Sequence, residues 1–199
     1  MRISPLIDQL IEALQILPGV GSKSAQRMAF YILQHNRQGA KNLALVLEKA
    51  MQKVGQCGAC RTFSEETYCG LCMDERRDRT LMCVVETPAD VLAVEKTAGY
   101  KGYYFVLHGR LSPIDGIGPD DLGISLLLER AQSLGIKELI LATNPTVEGE
   151  ITAHYISEAM SDKDVLITRI AHGVPIGGEL EYIDGGTIAH AFNGRTSVG

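Results

Sequence analysis

No run of about 18 apolar residues occurs in this 199-residue chain, so no segment reads as a transmembrane helix. No low-complexity tract occurs either, and the apolar share of 45% is ordinary for a folded protein. The amino end lacks the marks of a secretory leader. It has only Arg2 as a basic start and no A-x-A-like site, and Asp8 and Glu12 interrupt the apolar stretch. A cytoplasmic protein is expected. Cysteine is scarce outside one short window. Only Cys83 stands apart, inside Leu81-Met82-Cys83-Val84-Val85, where it reads as a buried strand residue.

The window itself is Cys57-x2-Cys60-x8-Cys69-x2-Cys72. Two Cys-x2-Cys knuckles at this separation close on one tetrahedral Zn²⁺, each giving two thiolates. Clustered thiols in a reducing compartment point to metal and not to disulfides. A closed Cys₄ set leaves no open coordination position, so the expected role is structural, with one zinc per chain. Gly58 and Gly70 fit tight turns that aim N–H groups at sulfur.

The formal net charge of −5 hides an asymmetry. Residues 1–79 carry 11 Lys and Arg against 8 Asp and Glu, whereas residues 80–199 carry 8 against 16. Nucleic acid, if bound, is expected to meet the first part. Arg76, Arg77 and Arg79 follow the second knuckle and either extend that basic surface or form an exposed linker.

Ile3, Leu6, Ile7, Leu10, Ile11, Leu14 and Leu17 recur at helical spacing, with Ser4-Pro5 at the start. The 4-3-4-3 steps of Ile3, Ile7, Leu10, Leu14 and Leu17 suit pairing with a second helix, from another subunit or from the same module. Leu17-Pro18-Gly19-Val20-Gly21 breaks this helix. A second is expected from about Ser22, with Ala25, Met28, Ala29, Ile32 and Leu33 inward. A third is expected from about Ala40 to Val54, using Leu43, Leu47, Ala50, Met51 and Val54. Gly19 and Gly21 permit a tight turn, and the helix start after it leaves N–H groups free for a phosphate. Lys23 and Arg27 share one face beside those amides. This is helix-hairpin-helix logic, which grips a nucleic-acid backbone without reading bases. A plain turn with a solvated basic face is the competing reading. A P-loop is excluded, because the G-x4-G-K-[ST] spacing and the preceding strand are both missing.

The rest alternates strands and helices, as a mostly parallel sheet does. Strands are expected at 81–85, 103–107, 139–143 and 165–170, and helices at about 121–134 and from the Asn144–Glu150 loop to about Met160. Thr87 and Pro88 suit a helix start. Glu86 and the Asn144–Glu150 loop fall at carboxyl ends of strands, where such sheets place their sites. This arrangement resembles a Toprim domain, whose enzymes carry a Glu after the first strand and an Asp-x-Asp after a later one to hold Mg²⁺. Glu86 matches the first. Asn144-x-Thr146 stands where Asp-x-Asp belongs, and an amide and a hydroxyl replace carboxylates poorly at a hard cation. Tight Mg²⁺ binding and strand cleavage are therefore not expected, and no tyrosine follows Glu86 or Asn144 closely enough to suggest a nucleophile. The alternative is a Mg²⁺-dependent Toprim nuclease or primase. For Glu148 and Glu150, stabilisation of a helix N-terminus is the simpler role.

Over nearly the whole chain the sequence resembles the RecR family of recombination mediators. The resemblance is carried by the stretch from Leu17 to Arg27, the cysteine quartet, the stretch from Ala142 to Glu150, and Ile170-Ala171-His172-Gly173-Val174-Pro175. It implies an α+β, multi-module, non-catalytic protein of DNA repair, nucleoid-associated and homotetrameric. Its modules would be a helix-hairpin-helix module over 1–55, a Cys₄ zinc finger over 56–73, a Toprim domain over 79–174 and a C-terminal strand or arm over 175–199. It implies a ring that clamps single- or double-stranded DNA without sequence preference, with RecO and RecF as partners in loading RecA. Gly19, Gly21, Lys23 and Arg27 fall on the DNA-facing positions. Glu86, Glu148 and Glu150 fall on the acidic Toprim surface where RecO docks. Gly177–Asp184 ends like a Walker B strand, but without a Walker A loop no ATP hydrolysis follows. A strand or subunit-exchange arm is expected there. His172 is expected to be a structural, hydrogen-bonded histidine.

Overall fold

The structure, a computed structural model, describes residues 4–171 and 173–195. His172 and Ile3 therefore lie outside the described residues. The chain divides into two compact units at Val54/Gly55.

The first unit is three helices: α1 (Pro5–Leu14), α2 (Ser22–His35) and α3 (Arg37–Lys53). Pro5 opens α1 behind an extended Ser4, where its missing N–H costs nothing. Helix α1 stops at Leu14, so Leu17 sits in the turn, not on the stripe. Helix α3 begins earlier than expected because Asn36 caps it, its side chain accepting from Gly39 N at 2.9 Å. Among the described residues of this unit only Ala25 and Ala29 are buried. Leu43, Leu47, Met51 and Val54, expected inward, are 49%, 52%, 78% and 40% exposed. Met28 is also exposed, while Ile32, Leu33 and Ala50 are half-buried. Two alanines make a close helix contact but not a core. The stripe on α3 is real, and the described residues of this unit supply no layer to cover it.

The second unit opens with a two-residue antiparallel ribbon, β1 (Gly55–Gln56) and β2 (Phe63–Ser64), and a short helix α4 (Gly70–Met73). There follow β3 (Asp78–Val85), α5 (Pro88–Lys96), β4 (Gly102–Val106), α6 (Ile124–Leu134), β5 (Glu138–Leu141), α7 (Val147–Ala159) and β6 (Leu166–Arg169). The four long strands lie in the order β4-β3-β5-β6 and all pair in parallel. Side chains alternate between the two faces. Met82, Val84, Phe105, Leu139 and Leu141 pack with Leu127 of α6 and Ile156 of α7. Cys83, Val85, Tyr104 and Val106 pack with Val91 of α5 and with three of the knuckle cysteines. The cysteine segment is thus part of the sheet's own second core. Thr87 and Asp90 form a reciprocal capping box at the start of α5.

The expected strand within 177–184 does not form. A 3₁₀ turn (Leu180–Tyr182) and a helix α8 (Gly185–Asn193) occupy the region. Asp184 caps that helix, accepting from Thr187 N at 2.9 Å and Thr187 Oγ1 at 2.6 Å. Its side chain is thereby spent on two local donors, and the glycines after it begin a helix.

Candidate functional site

Because the chain passes from β3 to β4 on one side and returns to β5 on the other, the strand order reverses beside β3. A crevice is expected at the carboxyl ends of such neighbouring strands. Glu86 follows β3 and Asn144 closely follows β5, so both stand at its mouth. The crevice is closed from within. Asn144 N donates to Glu86 Oε1 and Asn144 Nδ2 to Glu86 Oε2, both at 2.8 Å. Arg110 approaches Oε2 at 3.8 Å. Glu86 is 2% exposed, a burial that an ionised carboxylate tolerates only with such donors. It accordingly lies beneath the acidic surface expected of it. Glu148 is half-buried and Glu150 exposed, both in the first turn of α7.

The loop between β5 and α7 is wound tightly over this carboxylate. A Cβ on Gly149 would run into the Asn144 carbonyl oxygen and come within 3.1 Å of Glu86 Oε1. Thr143 donates to Gly149 O at 2.8 Å. Thr146, in the position of a missing metal ligand, is the N-cap of α7 and accepts from Gly149 N at 3.1 Å. Arg169, at the end of β6, donates to Thr143 Oγ1 at 2.9 Å and to Glu150 Oε1 at 2.6 Å. One carboxylate with both oxygens occupied, flanked by an amide, a capping hydroxyl and two guanidinium groups, is a poor donor set for Mg²⁺.

The knuckles bring the Sγ atoms of Cys57, Cys60, Cys69 and Cys72 within 4.8 Å of one another. Tetrahedral Zn–S bonds of about 2.3 Å set S···S edges near 3.8 Å, and Cys60 and Cys69 already stand 3.5 Å apart. The quartet can therefore hold a metal ion, and zinc suits it. Hydrogen bonds from Cys60 and Cys72 hold the Cys69 thiol far below its ordinary range. Bonds to Cys69 and Cys72, then burial, drive Cys60 up. Four sulfurs this close do not behave as four separate thiols. Cys69 N donates to Cys57 Sγ at 3.2 Å. Gly58 N donates to Thr67 O at 2.8 Å and ties the two knuckles together, while the turn around it aims the Ala59 and Cys60 amides at the Cys57 sulfur, as expected of that turn.

Two arginines missed by sequence reasoning lock this segment to the sheet, and a third, placed wrongly by it, ties the entry to β3 onto α5 and β4. Arg130 Nη1 donates to Ala59 O at 2.5 Å and Tyr104 O at 2.7 Å, and its Nη2 lies 3.6 Å from Cys72 Sγ. Arg61 donates to Leu122 O and stacks 5.5 Å from the Phe105 ring. Arg77, expected on a basic surface or in a linker, is buried instead. It pairs with Glu95, donates to Gly102 O at 2.7 Å and lies over the Tyr104 ring. Glu95 also accepts from Tyr104 Oη at 2.6 Å. A sequence signal existed for Arg130, which lies three residues after buried Leu127 and beside buried Ala131 on α6. Arg61 and Arg77 had none. Arg76 is exposed and paired with Asp74, and Arg79 is exposed.

In the helical unit, Gly19 has φ +79° and needs glycine for that reason. Gly21 is extended and is the N-cap of α2, without a side-chain cap. A Cβ there would meet nothing within 4 Å, so the turn keeps an open approach to the α2 amides. Lys23 and Arg27 are both exposed and border one shallow depression. The turn, its free amides and two cations can hold a phosphate.

Comparison with known proteins agrees with these parts. Family models match residues 7–51 as the RecR helix-hairpin-helix, residues 80–171 as a Toprim domain and residues 173–196 as the RecR C-terminal segment. The recombination protein RecR of Saccharophagus degradans is 57% identical over 195 residues, covering 98% of this chain and 99% of its own. That of Pseudomonas syringae pv. tomato is 58% identical over 199 residues, covering 100% and 99%. With identity of this level from end to end and all three family segments in order, the chain belongs to the RecR family of recombination proteins.

Proposed function

We propose that this chain is a non-catalytic mediator that holds DNA by its backbone through Gly19, Gly21, Lys23 and Arg27, and serves recombination by delivering a partner to single strands. The observation that carries the non-catalytic part is Glu86. A Toprim enzyme needs that carboxylate for a metal, and here Asn144 occupies both of its oxygens. RecO- and RecF-assisted loading of RecA is the process this fits. The first turn of α7, with half-buried Glu148 and exposed Glu150, is the partner-facing part, and buried Glu86 holds the loop that presents it. The uncovered apolar stripe of α3 supports assembly of several copies, read here as a tetrameric ring around DNA. Cys57, Cys60, Cys69 and Cys72 would hold one structural zinc per chain, which supplies a rigid cross-link and no reactive position. The module limits at 55, 73 and 174 belong to the same reading, as does action in the cytoplasm on the nucleoid. No helix among the described residues is long and apolar enough to cross a membrane.

The test is a salt titration of binding to random-sequence DNA. Removing one phosphate-binding cation should flatten the slope of log K against log salt by about 0.9 on duplex. Lys23→Ala with Arg27→Ala should weaken binding and flatten that slope. An unchanged slope would make the hairpin an ordinary turn. A parallel incubation with Mg²⁺ or Mn²⁺ should leave the DNA intact. Cleavage abolished by Glu86→Gln would establish the nuclease reading instead.

A further inference from the structure

The face of α2 that carries Lys23 and Arg27 does not end with them. The same depression, a cavity of about 450 Å³, is lined by Lys23, Arg27, Phe30 and Tyr31 together with the amides of Gln26 and Gln34. Tyr31 is 59% exposed. Its ring centroid lies 5.3 Å from that of His35 at a tilt of 44°, so the tyrosine ring is braced from one side and open on the other. Steps of four residues, from Lys23 to Arg27 to Tyr31 to His35, keep these side chains along one flank of the helix. Tyr31 thus lies one turn, about 6 Å, beyond Arg27, roughly the reach from a phosphate to its own base.

We propose that this groove is a stacking subsite for an unpaired nucleobase, set beside the phosphate grip and served by Tyr31. The inference rests on the reading of Lys23 and Arg27 as phosphate contacts and names the form of nucleic acid that site prefers. Cations interleaved with an exposed aromatic ring are the combination that single strands recognise, because every base has a π-face and its phosphate lies close by. In a duplex the bases are stacked on one another and unavailable, so Tyr31 adds nothing there. Gln26 and Gln34 can each donate and accept, which suits any base edge and selects none.

The test compares full-length wild type, Tyr31→Ala, Tyr31→Phe and Lys23→Ala/Arg27→Ala on three probes of equal length: a thymidine oligomer, an abasic oligomer with the same phosphates, and a duplex. Wild type and Tyr31→Phe should bind the thymidine oligomer at least about fivefold more tightly than the abasic one. Tyr31→Ala should lose that ratio while keeping its duplex affinity and its salt slope, since stacking releases no counterions. Lys23→Ala/Arg27→Ala should flatten the slope on every probe and keep the ratio. Equal wild-type affinity for the thymidine and abasic oligomers overturns the subsite, as does a ratio that survives Tyr31→Ala. A changed solution mass for Tyr31→Ala also overturns it, because the ring would then be covered by another copy. A slope unchanged in the double variant counts against the phosphate grip alone, and the ratio still decides the subsite.

Discussion

Asn144 meets Glu86 with two donors at once, the backbone N–H and the side-chain amide, each 2.8 Å from a different carboxylate oxygen. Hydrogen bonds to a charged group contribute about 1.5–3 kcal/mol each. Asn144→Ala removes one and should lower stability by roughly 2 kcal/mol in denaturant titration. Asn144→Asp should cost more at neutral pH, because two carboxylates would then share the crevice. That loss should shrink on acidification, since the pair holds a proton more tightly folded than unfolded. It should also shrink on adding Mg²⁺. Equal melting curves with and without Mg²⁺ would show that the remaining donors cannot complete a site.

Metal removal should act on the sheet as well as on the knuckles. We expect one zinc per chain by elemental analysis, and loss of it on Cys57→Ser or with a strong chelator. The metal-free protein should melt earlier and show faster amide exchange along β4 as well as within 57–72, because the segment and the strand share a core. Protection of β4 that is unchanged without metal would mean that packing alone holds the segment.

Glu95 gives a pH signature. Burial is the largest single influence and raises its pKa, but hydrogen bonds from Tyr104 and Arg77 outweigh it and hold the carboxyl below its ordinary 4.5. A depressed acid stabilises the fold above its unfolded pKa and loses that contribution as pH falls through the folded value. The stability gap between wild type and Glu95→Gln should therefore be full at neutral pH and shrink as pH falls through the lowered folded value. Arg77→Met should cost about 2 kcal/mol at neutral pH, because the Gly102 carbonyl loses its arginine donor and Glu95 keeps only Tyr104.

The uncovered stripe on α3 predicts assembly. Leu47→Glu or Met51→Lys should lower the mass in light scattering and reduce helicity, because two buried alanines cannot hold three helices by themselves. A native-size assembly of undiminished helicity would place the subunit contact elsewhere.

What the sequence made legible was local. Apolar runs gave the four strands, Thr87-Pro88 gave the start of α5, and the cysteine spacing gave a metal-sized cluster, because each is set within about ten residues. The Glu86–Asn144 pair spans 58 positions and the Arg130–Ala59 bond 71. No periodicity reports such contacts. An arginine bound to carbonyl oxygens looks, in sequence, like an arginine in water, and so Arg77 was misplaced. Asp184 failed for the opposite reason. Its apolar approach imitated a strand end, while the short-range bond to Thr187, which decided the matter, was weaker as a pattern.

Strand β4 lies at one border of the parallel sheet. Its outward groups at 104 and 106 are engaged, the Tyr104 carbonyl by Arg130 and the Val106 amide by Cys60 O at 2.9 Å. A bare strand border invites pairing with the next molecule's strand. The cysteine loop is thus a guard rail as much as a clamp. Any change that loosens the 57–72 loop uncovers the Val106 amide, and with it an adhesive margin along β4.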